Sequence, residues 1–117
     1  MDRDRANERP LPPAVFHILM ALAEDDTHGY AIIQAIAGRT DGRVRIGAAT
    51  LYRSLQRMLE DGLVMELDDR PAPEQDDERR RYYRITPLGR KVARAEAQRL
   101  ADLVRLARTS GLAPRRT

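Results

Sequence analysis

The sequence predicts a mainly α fold: three helices, a small two-stranded β wing, and one long C-terminal helix. Three observations predict it. Apolar residues recur at helical spacing in three consecutive segments, the period then drops to two across a pair of short segments, and the last stretch carries an apolar seam with alternating four- and three-residue steps. At 117 residues the chain has room for one compact domain and an appendage. Its 42% hydrophobic and 33% charged residues describe a globular protein with a heavily ionised surface, not a chain too polar to collapse.

Residues 1–10 are polar and charged and read as a disordered tail. Pro12 and Pro13 suit a helix start, because proline lacks the amide hydrogen that would be unpaired there. Val15, Ile18, Leu19 and Leu22 then form one stripe, so a first helix spans roughly 12–24 and ends at Glu24-Asp25-Asp26. Thr27 is placed to cap a short second helix, whose stripe is Tyr30, Ile33, Ile36 and Ala37 and which stops near Gly38. From Gly47, the residues Leu51, Leu55, Met58 and Leu59 define a third helix that ends at Asp61-Gly62, with glycine at the usual terminating position.

Leu63 to Leu67 and Arg81 to Ile85 read as strands, the second rich in β-favouring aromatics. The segment between them, Asp68 to Arg80, holds Pro71, Pro73 and six acids and is expected to be an exposed, mobile tip. Thr86-Pro87 is a second cap-plus-proline start, opening a helix that runs to about Thr109. Its seam of Ala93, Ala97, Leu100, Val104 and Ala107, widened by Leu103 and Leu106, needs a partner helix, so Ala93, Ala97, Leu100, Leu103, Val104 and Ala107 are the expected homodimer interface. The chain thus divides into a tail (1–10), a winged helix-turn-helix domain (11–86), a dimerisation helix (87–110) and a disordered basic tail (111–117).

Charge distribution points to a polyanionic partner. The net charge is only +3, but residues 39–57 carry five arginines against one aspartate and residues 87–117 carry eight bases against two acids. Local excess of this kind attracts nucleic acid through counterion release. All 21 bases except Lys91 are arginine, whose planar fork matches phosphate and guanine edges. The absence of cysteine removes disulfides, thiolate metal sites and cysteine nucleophiles, and fits a reducing cytoplasm. No stretch approaches the roughly 18 apolar residues that span a bilayer, so no membrane association is expected. The only histidines, His17 and His28, do not make a metal site, and no phosphate loop or catalytic constellation can be assembled, so neither cofactor nor enzymatic activity is expected.

In a fold of this order the third helix enters the major groove of double-stranded DNA and the wing lies along the neighbouring backbone. Opposite its core stripe, that helix carries Thr50, Arg53, Ser54 and Arg57, with Ala49 and Gln56 at the margins. Arginine reads guanine, glutamine pairs with adenine and a threonine methyl meets thymine, while small Ala48 and Ala49 allow close backbone approach. A merely solvated helix face is the plainer alternative. Arg79, Arg80 and Arg81 either meet phosphates or pair with Asp76, Asp77 and Glu78. Arg84 reads as a solvated strand residue, His28 as a structural cap or a phosphate contact, and Tyr30, Tyr52, Tyr82 and Tyr83 as packing residues, Tyr52 also being within reach of backbone phosphate.

Between about Val15 and Arg90 the sequence resembles the PadR family of bacterial transcriptional regulators. The resemblance lies in Ile18-Leu19-Met20-Ala21-Leu22, His28-Gly29-Tyr30 followed by Ile32 and Ile33, Thr50-Leu51-Tyr52 with Leu55, Arg57 and Leu59, Glu60-Asp61-Gly62-Leu63-Val64, and Arg81-Tyr82-Tyr83-Arg84-Ile85-Thr86 leading to Gly89. It implies a winged helix, a homodimer built by the C-terminal helix, and repression at a pseudo-palindromic operator relieved by a small aromatic or phenolic effector. The single C-terminal helix is similar to the short branch of the family. Two positions depart from the pattern: Ala49 stands where the family has glycine and Arg53 where it has proline, both at the start of the third helix. The tryptophan that lines an intersubunit cavity in some members is missing, so an effector pocket would be built from Val15, Phe16, Leu19, Leu100, Leu103 and Val104, unless those residues simply fill the dimer core. The rival to DNA binding is a winged-helix interaction module whose Arg53 and Arg57 engage an acidic protein surface.

Overall fold

The computed structural model describes residues 9–67 and 81–114. Helix α1 (Pro13–Glu24) starts at the predicted proline pair. Strand β1 (Thr27–His28) follows, then α2 (Gly29–Arg39), α3 (Ala48–Glu60), β2 (Val64–Glu66), β3 (Tyr82–Ile85) and α4 (Pro87–Thr109). Ile18, Leu19 and Leu22 of α1, Ile32 and Ile36 of α2, Leu51, Leu55 and Met58 of α3, and Val64, Tyr83 and Ile85 of the sheet form one continuous core. Among the described residues no helix is long and apolar enough to cross a membrane. The expected tail over 1–8, the wing tip over 68–80 and the last three residues lie outside the described residues.

The sheet has three strands in the order β1-β3-β2, all antiparallel, where the sequence predicted two. Thr27 pairs with Tyr83 and His28 with Tyr82, and the His28 and Tyr82 rings meet edge to face at 5.5 Å. A two-residue strand shows no alternation, so β1 exists only because β3 offers it an edge. The same residue displaces the expected cap. The Nδ1 of His28, not the Thr27 hydroxyl, accepts the Ala31 N–H at 3.2 Å, because Thr27 is drawn into the ladder one residue too early to serve α2.

Helix α2 is also turned relative to its predicted stripe. Its buried line is Gly29, Ile32 and Ile36, which leaves Tyr30 59% exposed and not packed. The turn to α3 is held by the Thr40 hydroxyl, which donates to the Ile36 carbonyl at 2.9 Å and accepts the Val44 N–H at 3.0 Å. Helix α3 ends in paired backbone hydrogen bonds, Leu63 N–H to the Met58 carbonyl and Gly62 N–H to the Leu59 carbonyl, which turn the chain directly into β2.

Helix α4 is bound to the core by its first half and leaves it in its second. At its start the Thr86 hydroxyl accepts the Gly89 N–H at 3.0 Å and donates to the Gly62 carbonyl at 2.6 Å, while the Thr86 N–H reaches the Leu63 carbonyl at 3.0 Å. A Cβ on Gly89 would stand 2.1 Å from that same Leu63 oxygen. Further along, Val92 and Ala93 pack against the protomer's own core. Glu96, only 4% exposed, takes hydrogen bonds from Arg99 at 2.9 and 2.7 Å, and these together with the backbone of Leu11 hold its carboxyl below the usual carboxylate range despite burial.

Gly89→Ala should destabilise the fold by about 2 kcal/mol or more, as an over-packed backbone contact does. Alanine at Gly38, where nothing lies within 4 Å, should instead add stability, up to about 1 kcal/mol from helix propensity. Urea denaturation of both variants checks this, and an unchanged midpoint for Gly89→Ala would refute the close approach. Because the folded pKa of Glu96 is depressed, its contribution is present above the unfolded carboxylate value and lost as pH falls through the folded one. The stability gap between the wild type and Glu96→Gln should therefore be fully open at neutral pH and close on acidification below about pH 4.5, followed by thermal melts across pH.

Candidate nucleic-acid interface

Helix α3 presents two faces. Leu51, Leu55 and Met58 are buried, whereas Ala48, Ala49, Thr50, Arg53, Gln56 and Arg57 are exposed and Ser54 is half-buried beside them. Gly47 precedes the helix with no side-chain capping hydrogen bond, and Ala48 and Ala49 at its start are exposed. Gln56 leans toward Glu60 at 3.4 Å, a single long contact on an exposed surface.

Electrostatic pairing separates the arginines of the described residues into two groups. Arg39 pairs with Glu24, Arg81 with Glu66, Arg84 with Asp26, Arg99 with Glu96 and Arg105 with Asp102. Arg84, read from the sequence as solvated, grips the Asp26 carboxylate with two nitrogens at 3.0 and 2.7 Å. That grip, aided by Arg90, holds the Asp26 carboxyl below its ordinary range. Among the described residues no such partner engages Arg53 or Arg57, nor Arg43 and Arg45 in the turn that precedes α3. Among the described residues, the arginines outside these ion pairs are Arg43, Arg45, Arg53 and Arg57 on α3 and its approach, Arg9 ahead of α1, and Arg90, Arg94 and Arg108 on α4. Arg43 and Arg45, both exposed, were not among the residues singled out from the sequence, although they belong to the basic run over 39–57 that signalled the site.

Tyr52 has a structural post as well as a place beside the exposed face. Its hydroxyl would lie 2.7 Å, and its ring carbons 3.0 Å, from a Cβ on Gly29, so the ring lies flush against the first turn of α2. The two motifs His28-Gly29-Tyr30 and Thr50-Leu51-Tyr52 thus meet in space and set the angle between α2 and α3. On the wing side, Arg81 immediately precedes β3 and stands 3.8 Å from Glu66, while Arg79 and Arg80 lie outside the described residues. Tyr83 points into the core, and burial, with Glu66 second, raises its hydroxyl pKa.

The residues expected at a dimer seam are placed unequally. Leu100, Leu103, Val104 and Leu106 are exposed, Leu103 at 49% and Leu106 at 62%, and Ala97 is exposed beside them. Ala93 faces the protomer's own core, and Ala107 is half-buried. Of the expected effector-pocket residues on α1, Val15 and Phe16 are half-buried and Leu19 is completely enclosed in the core. Among the described residues no cluster of three or more histidine, cysteine or acidic side chains is placed to hold a metal ion.

Residues 18–95, from within α1 to within α4, match the Transcriptional regulator PadR-like family. The chain belongs to that family. Among related proteins, this PadR-like chain is 33% identical over 89 residues to the transcriptional regulator Rv3488 of Mycobacterium tuberculosis, covering 76% of this chain and 77% of that one. It is 42% identical over 73 residues to an uncharacterised protein of Lysinibacillus sphaericus, covering 62% of this chain and 64% of the relative's length. Its fold is similar to that of a transcriptional regulator from Clostridium thermocellum, with a TM-score of 0.69, 28% identity, and coverage of 82% and 87% of the two chains. The PadR-like fold explains why Gly29, Tyr52, Thr86 and Gly89 recur in the motifs read above: each occupies a contact with no room for another side chain or supplies a cap.

Proposed function

We propose that this PadR-like regulator acts as a homodimeric repressor that binds a pseudo-palindromic site in double-stranded DNA, with α3 in the major groove. The observation that carries the proposal is the pair of unengaged arginines, Arg53 and Arg57, on an exposed helix face shared with Thr50 and Gln56. A guanidinium free of intramolecular carboxylates keeps its full donor fork for guanine O6 and N7 or for phosphate. Arg53, at a position where the family resemblance implies proline, adds one such fork near the start of the helix and is proposed to shift operator choice. Ala48, Ala49, Ser54 and Tyr52 line the approach, Arg43 and Arg45 supply phosphate contacts ahead of it, and Arg79, Arg80 and Arg81 do so from the wing.

Dimer formation is proposed through the second half of α4. Four large apolar side chains exposed along one helix of a single chain are a seam without its partner, and a second copy supplies the complementary helix. With Leu19 enclosed in the protomer core, Leu100, Leu103 and Val104 are better read as packing between subunits than as walls of an effector cavity there.

Binding-site selection from random duplex should recover a two-fold symmetric sequence. Its affinity should fall steeply with salt, because phosphate contacts release counterions. Arg57→Ala should cost about 1–3 kcal/mol at the selected site and far less on random duplex; equal losses would mean that Arg57 touches only phosphate. Replacing both Leu100 and Leu103 with glutamate should yield a folded monomer in analytical ultracentrifugation, and a persistent dimer would remove α4 from the interface.

A further inference from the structure

Where the loop after α1, strand β3 and the first turns of α4 meet lies a cleft of about 360 Å3, lined by Asp26, Arg84, Ile85, Pro87, Arg90 and Arg94. That volume falls in the range of small-molecule sites. We propose that this cleft binds a small hydroxylated phosphate monoester, of the sugar-phosphate kind, with its phosphoryl group held between Arg90 and Arg94. No residue of α3 lines the cleft, so its occupant lies apart from the face proposed to read DNA.

Charge selects the phosphoryl group. Three guanidiniums and one carboxylate line the cleft. Arg84 is engaged by Asp26, donating from Nε at 3.0 Å and from Nη2 at 2.7 Å, so that pair is neutral and the guanidiniums of Arg90 and Arg94 are in excess. These two stand four residues apart on one side of α4, both exposed and both outside the ion pairs of the described residues. The Nη2 of Arg90 donates to the Ala23 carbonyl at 3.4 Å, a long contact that draws its head toward the last turn of α1, and its charge helps to lower the Asp26 carboxyl. A phosphate monoester carries about −1.5 to −2 charge at neutral pH and three acceptor oxygens, which two neighbouring guanidiniums match in charge and in donors. The first turn of α4, at Pro87, adds the positive end of the helix dipole.

The remaining walls select the body that carries the phosphate. Ile85 is buried and Pro87 adds only a pyrrolidine ring, so little apolar surface is offered to an aromatic ligand. Both Arg84 donors converge on Oδ2 of Asp26, which leaves Oδ1 to accept a hydroxyl. The same half-buried carboxylate disfavours a run of phosphates such as a duplex backbone presents.

The test uses the full chain, isotope-labelled for amide NMR, with glucose 6-phosphate as the probe and glucose as the control. Glucose 6-phosphate should shift the Arg84, Ile85 and Arg90 amides saturably and leave those of α3 unmoved, whereas glucose should shift none. Arg90→Gln and Arg94→Gln should each weaken binding about tenfold. Arg108→Gln, which removes the same charge at the far end of α4, should leave it unchanged, and Arg94→Gln should bind duplex as the wild type does. No saturable shift, an equal response to glucose, or an equal loss in Arg108→Gln would each overturn the inference. A loss of duplex affinity in Arg94→Gln as large as its loss for glucose 6-phosphate would assign the cleft to the DNA backbone and overturn it as well.

Discussion

The arrangement depends on the carbonyl of Leu63. It receives the Thr86 N–H and lies where Gly89 leaves a gap, while the N–H of the same residue bonds the Met58 carbonyl, so the last turn of α3 and the first turn of α4 are both tied to Leu63. The Thr86 hydroxyl closes the same junction by capping α4 and donating to Gly62. A backbone contact of this kind cannot slide, because any shift either unpairs a buried donor or drives Gly89 into the carbonyl. The helix proposed to read DNA and the helix proposed to pair with a second copy are therefore held at a fixed angle. In a two-fold dimer that angle sets the separation of the two reading heads.

A second fixture works on the other side of α3. Tyr52 lies flush on Gly29, and His28 caps α2 while its ring meets Tyr82 on β3. Helix α2 is thereby tied both to the reading helix and to the sheet. The exposed position of Tyr30 follows from this arrangement: once Gly29 and Ile32 face inward, the residue between them on the turn is carried outward.

The paired arginines show how a chain with 21 bases and 18 acids concentrates its small excess of charge. Asp26 on the loop after α1 holds Arg84 of β3, Arg81 stands 3.8 Å from Glu66 within the wing, and Glu96 holds Arg99 one turn along α4. Exposed pairs contribute little stability individually. On α3 and its approach, Arg43, Arg45, Arg53 and Arg57 stay outside these pairs.

The sequence by itself determined the helices, both prolines that start them, the glycine ends, the strands flanking the wing and the exposed polar face of α3. All of these are local: they follow from period, caps and breakers within a few residues. The tertiary structure alone decided the third strand, the outward turn of Tyr30 and the partner of Arg84. Each rests on a contact between segments far apart in the chain, Thr27 with Tyr83, Gly29 with Tyr52 and Asp26 with Arg84, and pairing at such distances leaves no periodic trace in either segment. The glycine at 89 joins both accounts. Its place in a motif was legible, but the reason for it, a carbonyl 26 residues earlier lying where a side chain would begin, existed only once the chain had folded.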